Sequence, residues 1–271
     1  MTESNSDLGD YARRIGYEGP LRPTLQTLTD ICWLHQVAIP FENLDIVLLR
    51  RPISLSPSAL MAKMVRGNRG GFCFEQNRLL AMMLTQIGFQ VRMGYATWQP
   101  DNGPRIVPFD HMALGVRIPG DERDWLADAG FGRESPAGPV PLHSGQWHCQ
   151  RTGVDYRISA LDDPDLQWSI EWRAEGEPWR SLYDLDLRPR RIGDYEHRSH
   201  FNQTSPESHF TQGIVCSRPL PEGRVTVTGD QLIRTLHGHR TESPIDGLPH
   251  LLEALQQWFG IRITSDEIPQ P

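Results

Sequence analysis

The sequence predicts an α+β protein, because its apolar periodicity changes twice along 271 residues. Apolar side chains recur at helical spacing from Leu21 to about Gly88 and alternate with period two from Gln90 to about Leu187. The last region mixes both patterns. A composition of 38% apolar and 23% charged residues is that of an ordinary soluble globular chain, long enough for one large domain or two to three small ones.

In the helical region, Thr24 is placed to cap a helix bearing Leu25, Leu28, Ile31, Cys32 and Leu34. Ser56 is placed to cap another, with Pro57 at its first position and Leu60, Met61, Met64 and Val65 on its apolar face. A third stripe, Leu79, Leu80, Met83, Leu84 and Ile87, ends at Gly88. Alternation then sets in: Val91, Met93, Tyr95 and Thr97, then Met112, Leu114, Val116 and Ile118, then Trp125 and Ala127. Turn residues at Gln99–Pro104 and Pro119–Glu122 separate these runs, so an antiparallel sheet or small barrel is expected. Arg188–Ser208 is rich in charge and turn residues and reads as a linker or a long active-site loop. Val225, Val227 and Leu232 suggest short strands. Leu248–Phe259 carries Leu251, Leu252, Leu255 and Trp258 at helical spacing before a stop at Gly260.

A net charge of -7 and a pI near 5.8 argue against a nucleic-acid partner. Met1–Gly19 is polar and acidic, and nowhere do eighteen apolar residues run together, so no membrane association and a cytoplasmic location are expected. Cys32, Cys73, Cys149 and Cys216 lie far apart and form no CxxC pair, which fits reduced thiols. His143, His148 and Cys149 lack a fourth ligand at a suitable spacing, so no metal is expected. Neither GxGxxG nor a Walker lysine motif occurs.

The chemistry concentrates on Arg69-Gly70-Gly71-Phe72-Cys73-Phe74-Glu75. Cys73 follows two glycines, expected to let the backbone turn sharply and a substrate come close, and precedes a helix. Unpaired N–H groups and the macrodipole at that N-terminus favour a thiolate. A cysteine between two phenylalanines is equally the pattern of an inert core residue. A nucleophilic cysteine needs a base and a group to orient the base, and His111 and Asp128 are the candidates. If their strands pair through the Pro119–Arg123 turn, an even loop puts both on one face and an odd loop separates them. A solvent-exposed strand histidine and a turn-forming aspartate are the other readings of these two residues.

Together these residues resemble the arylamine N-acetyltransferases, specifically their bacterial members, over nearly the whole chain. The resemblance rests on Ile39-Pro40-Phe41-Glu42-Asn43-Leu44-Asp45, on the run around Cys73, on His111, and on Trp125-Leu126-Ala127-Asp128-Ala129-Gly130-Phe131-Gly132. It implies a helical bundle over residues 1–89, a β-barrel over 90–200 and an α/β lid over 201–271, with a papain-like Cys-His-Asp core. By the same resemblance Cys73, His111 and Asp128 are nucleophile, base and orienting acid. Phe41, Phe72, Phe131 and Phe210 would form the substrate pocket, and Glu42 and Arg69 a supporting ion pair. The implied reaction is ping-pong acetyl transfer from acetyl-CoA, as co-substrate, to an arylamine or arylhydrazine, in a monomer or homodimer and without a metal. An amide synthase of natural-product assembly and a cysteine hydrolase or transglutaminase-like enzyme would use the same triad. Ala113, two residues after His111, stands where some members carry a polar side chain.

Overall fold

The stripe that ends at Gly88 becomes the central helix of the fold. The computed structural model describes residues 2–98, 109–132 and 135–270. Its α-helices are α1 (Thr2–Ile15), α2 (Leu25–Ala38), α3 (Leu44–Val47), α4 (Pro57–Leu60), which runs on as a π-helical segment Met61–Arg66, α5 (Cys73–Ile87), α6 (Glu196–Thr204) and α7 (Gly247–Phe259). Thr24 caps α2 by accepting the Thr27 N–H at 3.2 Å, and Ser56 caps α4 with Pro57 at its first turn. Gly88 and Gly260 take left-handed backbone at φ 108° and 69° and end α5 and α7.

Besides the four-residue α3, two longer helices escaped the sequence reading. The first, α1, opens with a polar turn, and only Leu8, Tyr11, Ala12 and Ile15 mark its inner face. The second, α6, lies in the segment expected to be a linker or loop. It buries only Ser199 and Asn202, so it has no apolar stripe to read. Tertiary bonds hold it instead: the preceding Tyr195 hydroxyl donates to Gly94 O at 2.8 Å, and Ser208 Oγ donates to Asn202 O at 3.1 Å.

The strands are β1 (Phe41–Glu42), β2 (Gln90–Thr97), β3 (His111–Arg117), β4 (Asp124–Ala127), β5 (Val140–Pro141), β6 (Gly145–Cys149), β7 (Val154–Ala160), β8 (Trp168–Arg173), β9 (Arg180–Asp186), β10 (Val215–Leu220), β11 (Gly223–Thr228), β12 (Gln231–Leu236) and β13 (His239–Pro244). Eight form an antiparallel, barrel-like sheet in the order β5-β4-β3-β2-β9-β8-β7-β6. The other five form a second sheet, β1-β10-β11-β12-β13. The helical part of the chain thus contributes β1 to the C-terminal sheet, with Glu42 opposite Cys216. The expected turn at Gln99–Pro104 lies outside the described residues. The Pro119–Arg123 connection is described. Gly120 takes φ 84° there, and Arg117 pairs with Asp124, leaving an even, six-residue loop.

On α5, Leu79, Leu80, Met83 and Leu84 are fully buried, in one core with Leu28 and Ile31 of α2 and Met112 and Leu114 of β3. Burying each such side chain contributes about 1.5–3 kcal/mol. A polar relay runs through this core. Gln76 Nε2 donates to the carbonyls of Ile39, Pro40 and Gly71 at 3.2, 2.7 and 3.2 Å, which turns its Oε1 toward His35 Nε2 at 2.8 Å. His35 Nε2 therefore carries the proton, and Nδ1 accepts from the Tyr11 hydroxyl at 2.8 Å.

Burial lowers the pKa of His35 from 6.5 to about 4. The folded state therefore excludes a proton that the unfolded chain takes up below pH 6.5. Stability falls as the pH drops from about 6.5 to about 4 and levels off below, a loss of about 3 kcal/mol. Urea unfolding across this range measures it, and His35→Gln should flatten that part of the curve.

Candidate active site

Cys73 is the first residue of α5, and the approach of the chain to it is controlled by close packing. Gly70 does not have left-handed backbone; a Cβ there would lie 2.0 Å from Pro40 O. Of the two glycines expected to admit a substrate, Gly70 instead makes room for Pro40 and Glu42, and Gly71 makes room for the Glu75 side chain, whose Cβ would lie 2.8 Å from a Cβ there. Below them, Arg69 donates to Glu42 Oε1 through Nε at 3.0 Å and Nη2 at 2.8 Å, so the expected pair meets. Its Nη2 also reaches Asp45 at 3.0 Å. Lys63 Nζ bridges Asp45 at 2.7 Å and Glu75 at 2.8 Å, and Glu75 accepts the N–H of Phe72, the residue before Cys73, at 3.2 Å. Three carboxylates face two cations here. Burial pushes Glu75 up to about 7 against the pull of Lys63. Burial also opposes the Lys63 charge, but Glu75, Glu42 and Asp45 outweigh it and hold the ammonium protonated.

His111 begins β3 and is buried. Its Nε2 donates to Asp128 Oδ2 at 2.8 Å. Asp128 follows β4, and the β3–β4 register sets Leu114 opposite Ala127, which puts Asp128 diagonal to His111 on the same face. Four groups converge on the carboxylate. His111 and the Tyr183 hydroxyl (2.9 Å) donate to Oδ2, while Asn77 Nδ2 and Gly130 N, both at 2.8 Å, donate to Oδ1. Burial alone would raise the Asp128 pKa. The His111 charge and these donors outweigh it and keep the pKa below the ordinary aspartate value. Because Nε2 is engaged, Nδ1 is the ring nitrogen left for chemistry. Phe131 meets the ring edge-on at 5.0 Å, and Tyr183 lies 5.6 Å from it and 5.1 Å from Phe131, so the three rings pack as one cluster.

Cys73 and His111 line one cavity of about 910 Å³. Gly130 helps bring them there, since a Cβ on it would stand 2.7 Å from Cys73 O and 2.7 Å from Asn77 Nδ2. Phe41, Phe131 and Phe210 lie on the cavity wall. Phe72 does not: it is fully buried, edge-on to Phe210 at 5.6 Å and to Phe74 at 5.4 Å, so it backs the wall. Trp98, Trp172 and Arg180 extend the cavity outward, and Arg224 and Arg240 reach it from the C-terminal sheet.

The thiol departs from the sequence expectation. Burial pushes Cys73 well above the usual thiol range, and the Asp110 charge adds to this. The Phe74 N–H at the helix end pulls the other way and is outweighed. Asp110 is itself held by Arg198 of α6, which donates from Nε at 3.1 Å and from Nη2. Phe109, at φ 64°, turns the chain into this segment.

Sequence reasoning missed Asn77, Tyr183, Gln76, Lys63, Asp45, Asp110 and Arg198. Asn77 left a signal, four residues after Cys73 on one helix face. Tyr183 and Arg198 come from distant segments and left none. Among the described residues, no group of three His, Cys, Asp or Glu side chains could hold a metal ion.

A family model described as N-acetyltransferase matches residues 24–268. The chain belongs to the arylamine N-acetyltransferase family and is therefore an acyltransferase. It is 34% identical to the arylamine N-acetyltransferase of Mycolicibacterium smegmatis, over 94% of this chain and 92% of that protein. With the Escherichia coli enzyme it shares 32% over 94% and 89%. The solved M. tuberculosis arylamine N-acetyltransferase superposes with a TM-score of 0.86 at 30% identity, covering 97% and 95% of the two chains. The Mycobacterium marinum enzyme in complex with CoA gives 0.84 at 31% identity, covering 94% and 92%.

Arg198→Met should expose Cys73 to the full Asp110 charge and slow its alkylation by iodoacetamide at pH 7 by roughly threefold to tenfold, as the thiolate fraction falls. Adding Asp110→Asn should restore the rate. Equal slowing in the single and double variants would show that the charge is not the cause.

Proposed function

We propose that this chain transfers an acetyl group from acetyl-CoA to aromatic amines and hydrazines in two half-reactions, through an acetyl thioester on Cys73. The observation that carries this reading is a buried cysteine sharing a cavity with a histidine whose Nε2 is held by a four-bonded carboxylate. In the first half-reaction His111 Nδ1 takes the Cys73 proton as the sulfur attacks the thioester carbonyl. A thiol whose pKa burial has raised is a stronger nucleophile once its proton is removed, and the imidazolium beside it supplies the counter-charge. N–H groups at the start of α5 suit the oxyanion. Collapse of the adduct breaks the C–S bond to CoA, whose thiolate leaves with the proton from Nδ1.

In the second half-reaction the amine nitrogen attacks acetyl-Cys73, and His111 Nδ1 takes the proton that nitrogen loses. The Cys73 thiolate departs and is reprotonated. Asp128, kept ionised, stabilises the imidazolium at each transfer. Arylamines are neutral near pH 7, and Phe41, Phe131 and Phe210 offer an apolar wall for a ring. Residues 1–89 would then act as the nucleophile-bearing bundle, 90–200 as the barrel and 201–271 as the lid. No helix among the described residues is long and apolar enough to cross a membrane.

Mass spectrometry of the intact protein after acetyl-CoA treatment should show one added acetyl group in the native chain and none in Cys73→Ala. Transfer of that group to an arylamine should restore the original mass. His111→Gln should slow acetylation by roughly 10²–10⁴-fold. A Cys73→Ala protein that still gained an acetyl group would overturn the assignment.

A further inference from the structure

A second cavity, of about 400 Å³, opens on the flank of α5 and shares no lining residue with the cavity of Cys73 and His111. Its wall holds Arg78, Arg92 and Arg190 and no acidic residue. Two of these arginines have carboxylate partners: Arg92 Nη2 meets Asp124 at 2.6 Å, and Arg190 Nη2 meets Asp186 at 2.6 Å. Arg78 has no such partner among the described residues. Its Nη1 reaches only the Met93 sulfur at 3.7 Å, and its Nε is buried without a hydrogen bond, as is that of Arg190. An arginine without a carboxylate partner, on a wall that carries no acidic side chain, favours an anion there. The burial that leaves Nε unsatisfied also lowers the Arg78 pKa from arginine's ordinary value.

The rest of the wall is mostly apolar, with Met82 from α5, Val91 and Met93 from β2, and Pro57 and Pro189 at the sides; Thr85 and Gln86 of α5 are its neutral polar members. Nε is closed off from the cavity, so the terminal nitrogens of the Arg78 guanidinium are the donors that a planar carboxylate can meet there. The single unpaired charge of Arg78 suits a singly charged group better than a phosphate. The volume falls at the small end of the usual range for ligand pockets, about 300–1,000 Å³. We propose that this cavity binds a small organic carboxylate, with the charged end on the Arg78 guanidinium and the apolar body against Met82, Val91 and Met93. Arg78 lies five residues beyond Cys73, roughly 7.5 Å along the same helix axis. A ligand there touches the helix that carries the cysteine without touching any group of the proposed transfer chemistry.

Isothermal titration calorimetry of the full chain with hexanoate tests the site, with 1-hexanol and inorganic phosphate as comparison probes. Saturable hexanoate binding on the order of 1 mM is expected, with no saturable binding of hexanol and weaker binding of phosphate. Arg78→Met should weaken hexanoate at least tenfold, and Arg78→Lys should recover part of the loss. Met82→Trp fills the cavity while leaving Arg78 in place, and should also abolish binding; it decides the matter if Arg78→Met does not fold. Binding unchanged in Met82→Trp or in folded Arg78→Met would overturn the proposal. So would hexanol or phosphate binding as well as hexanoate, or no saturable binding of hexanoate. None of these readouts involves acetyl transfer, so the outcome is separate from that of the proposed function.

Discussion

A carboxylate buried where a helix meets a sheet must be met by donors from both, and Asp128 imposes that condition on the rest of the molecule. Its four hydrogen bonds come from Asn77 on α5, His111 on β3, Tyr183 on β9 and the backbone of Gly130. Loss of any one leaves a charged oxygen short of a partner in a place water does not reach, where the penalty is about 1–3 kcal/mol or more. Helix, hairpin and distant strand are therefore held in one mutual position. Asn77 strengthens the bond between layers, since its amide also donates to Met112 O at 2.5 Å while its Oδ1 accepts the Ala129 N–H at 2.9 Å.

A second polar assembly supports the start of α5 from below. Glu42, Asp45 and Glu75 surround Lys63 and Arg69, and burial, with smaller contributions from the Glu42 and Asp45 charges, raises the pKa of Glu75. Such a cluster is a poor source of net stability, because each charge must leave water, but it admits few alternative geometries. It joins the Phe41–Asp45 and Arg69–Glu75 segments, and the Gln76–His35–Tyr11 relay joins the same segments to α1 and α2. Cys73 is thereby positioned from both sides of the helix start.

Much of this could be read along the chain where local chemistry dictates local form. The caps at Thr24 and Ser56, the glycine stops at Gly88 and Gly260, and the alternation in β2, β3 and β4 each follow from a few neighbouring residues. Elements without a hydrophobic pattern could not be read this way. The α6 helix is held by Tyr195, Ser208 and Arg198, and each of these bonds to a partner that local sequence does not indicate. The β1 strand is two residues long and exists because β10 lies beside it, more than 170 positions later.

By itself, the sequence determined the α+β class, the position of Cys73 at a helix start and the candidacy of His111 and Asp128, since capping, periodicity and motif spacing are properties of adjacent residues. Tertiary structure alone decided that the six-residue turn sets His111 and Asp128 on one face, that Phe72 stands behind the cavity wall, and that the Cys73 thiol is raised by burial. Register, wall and solvation depend on which distant groups surround a side chain. No run of neighbouring letters specifies them.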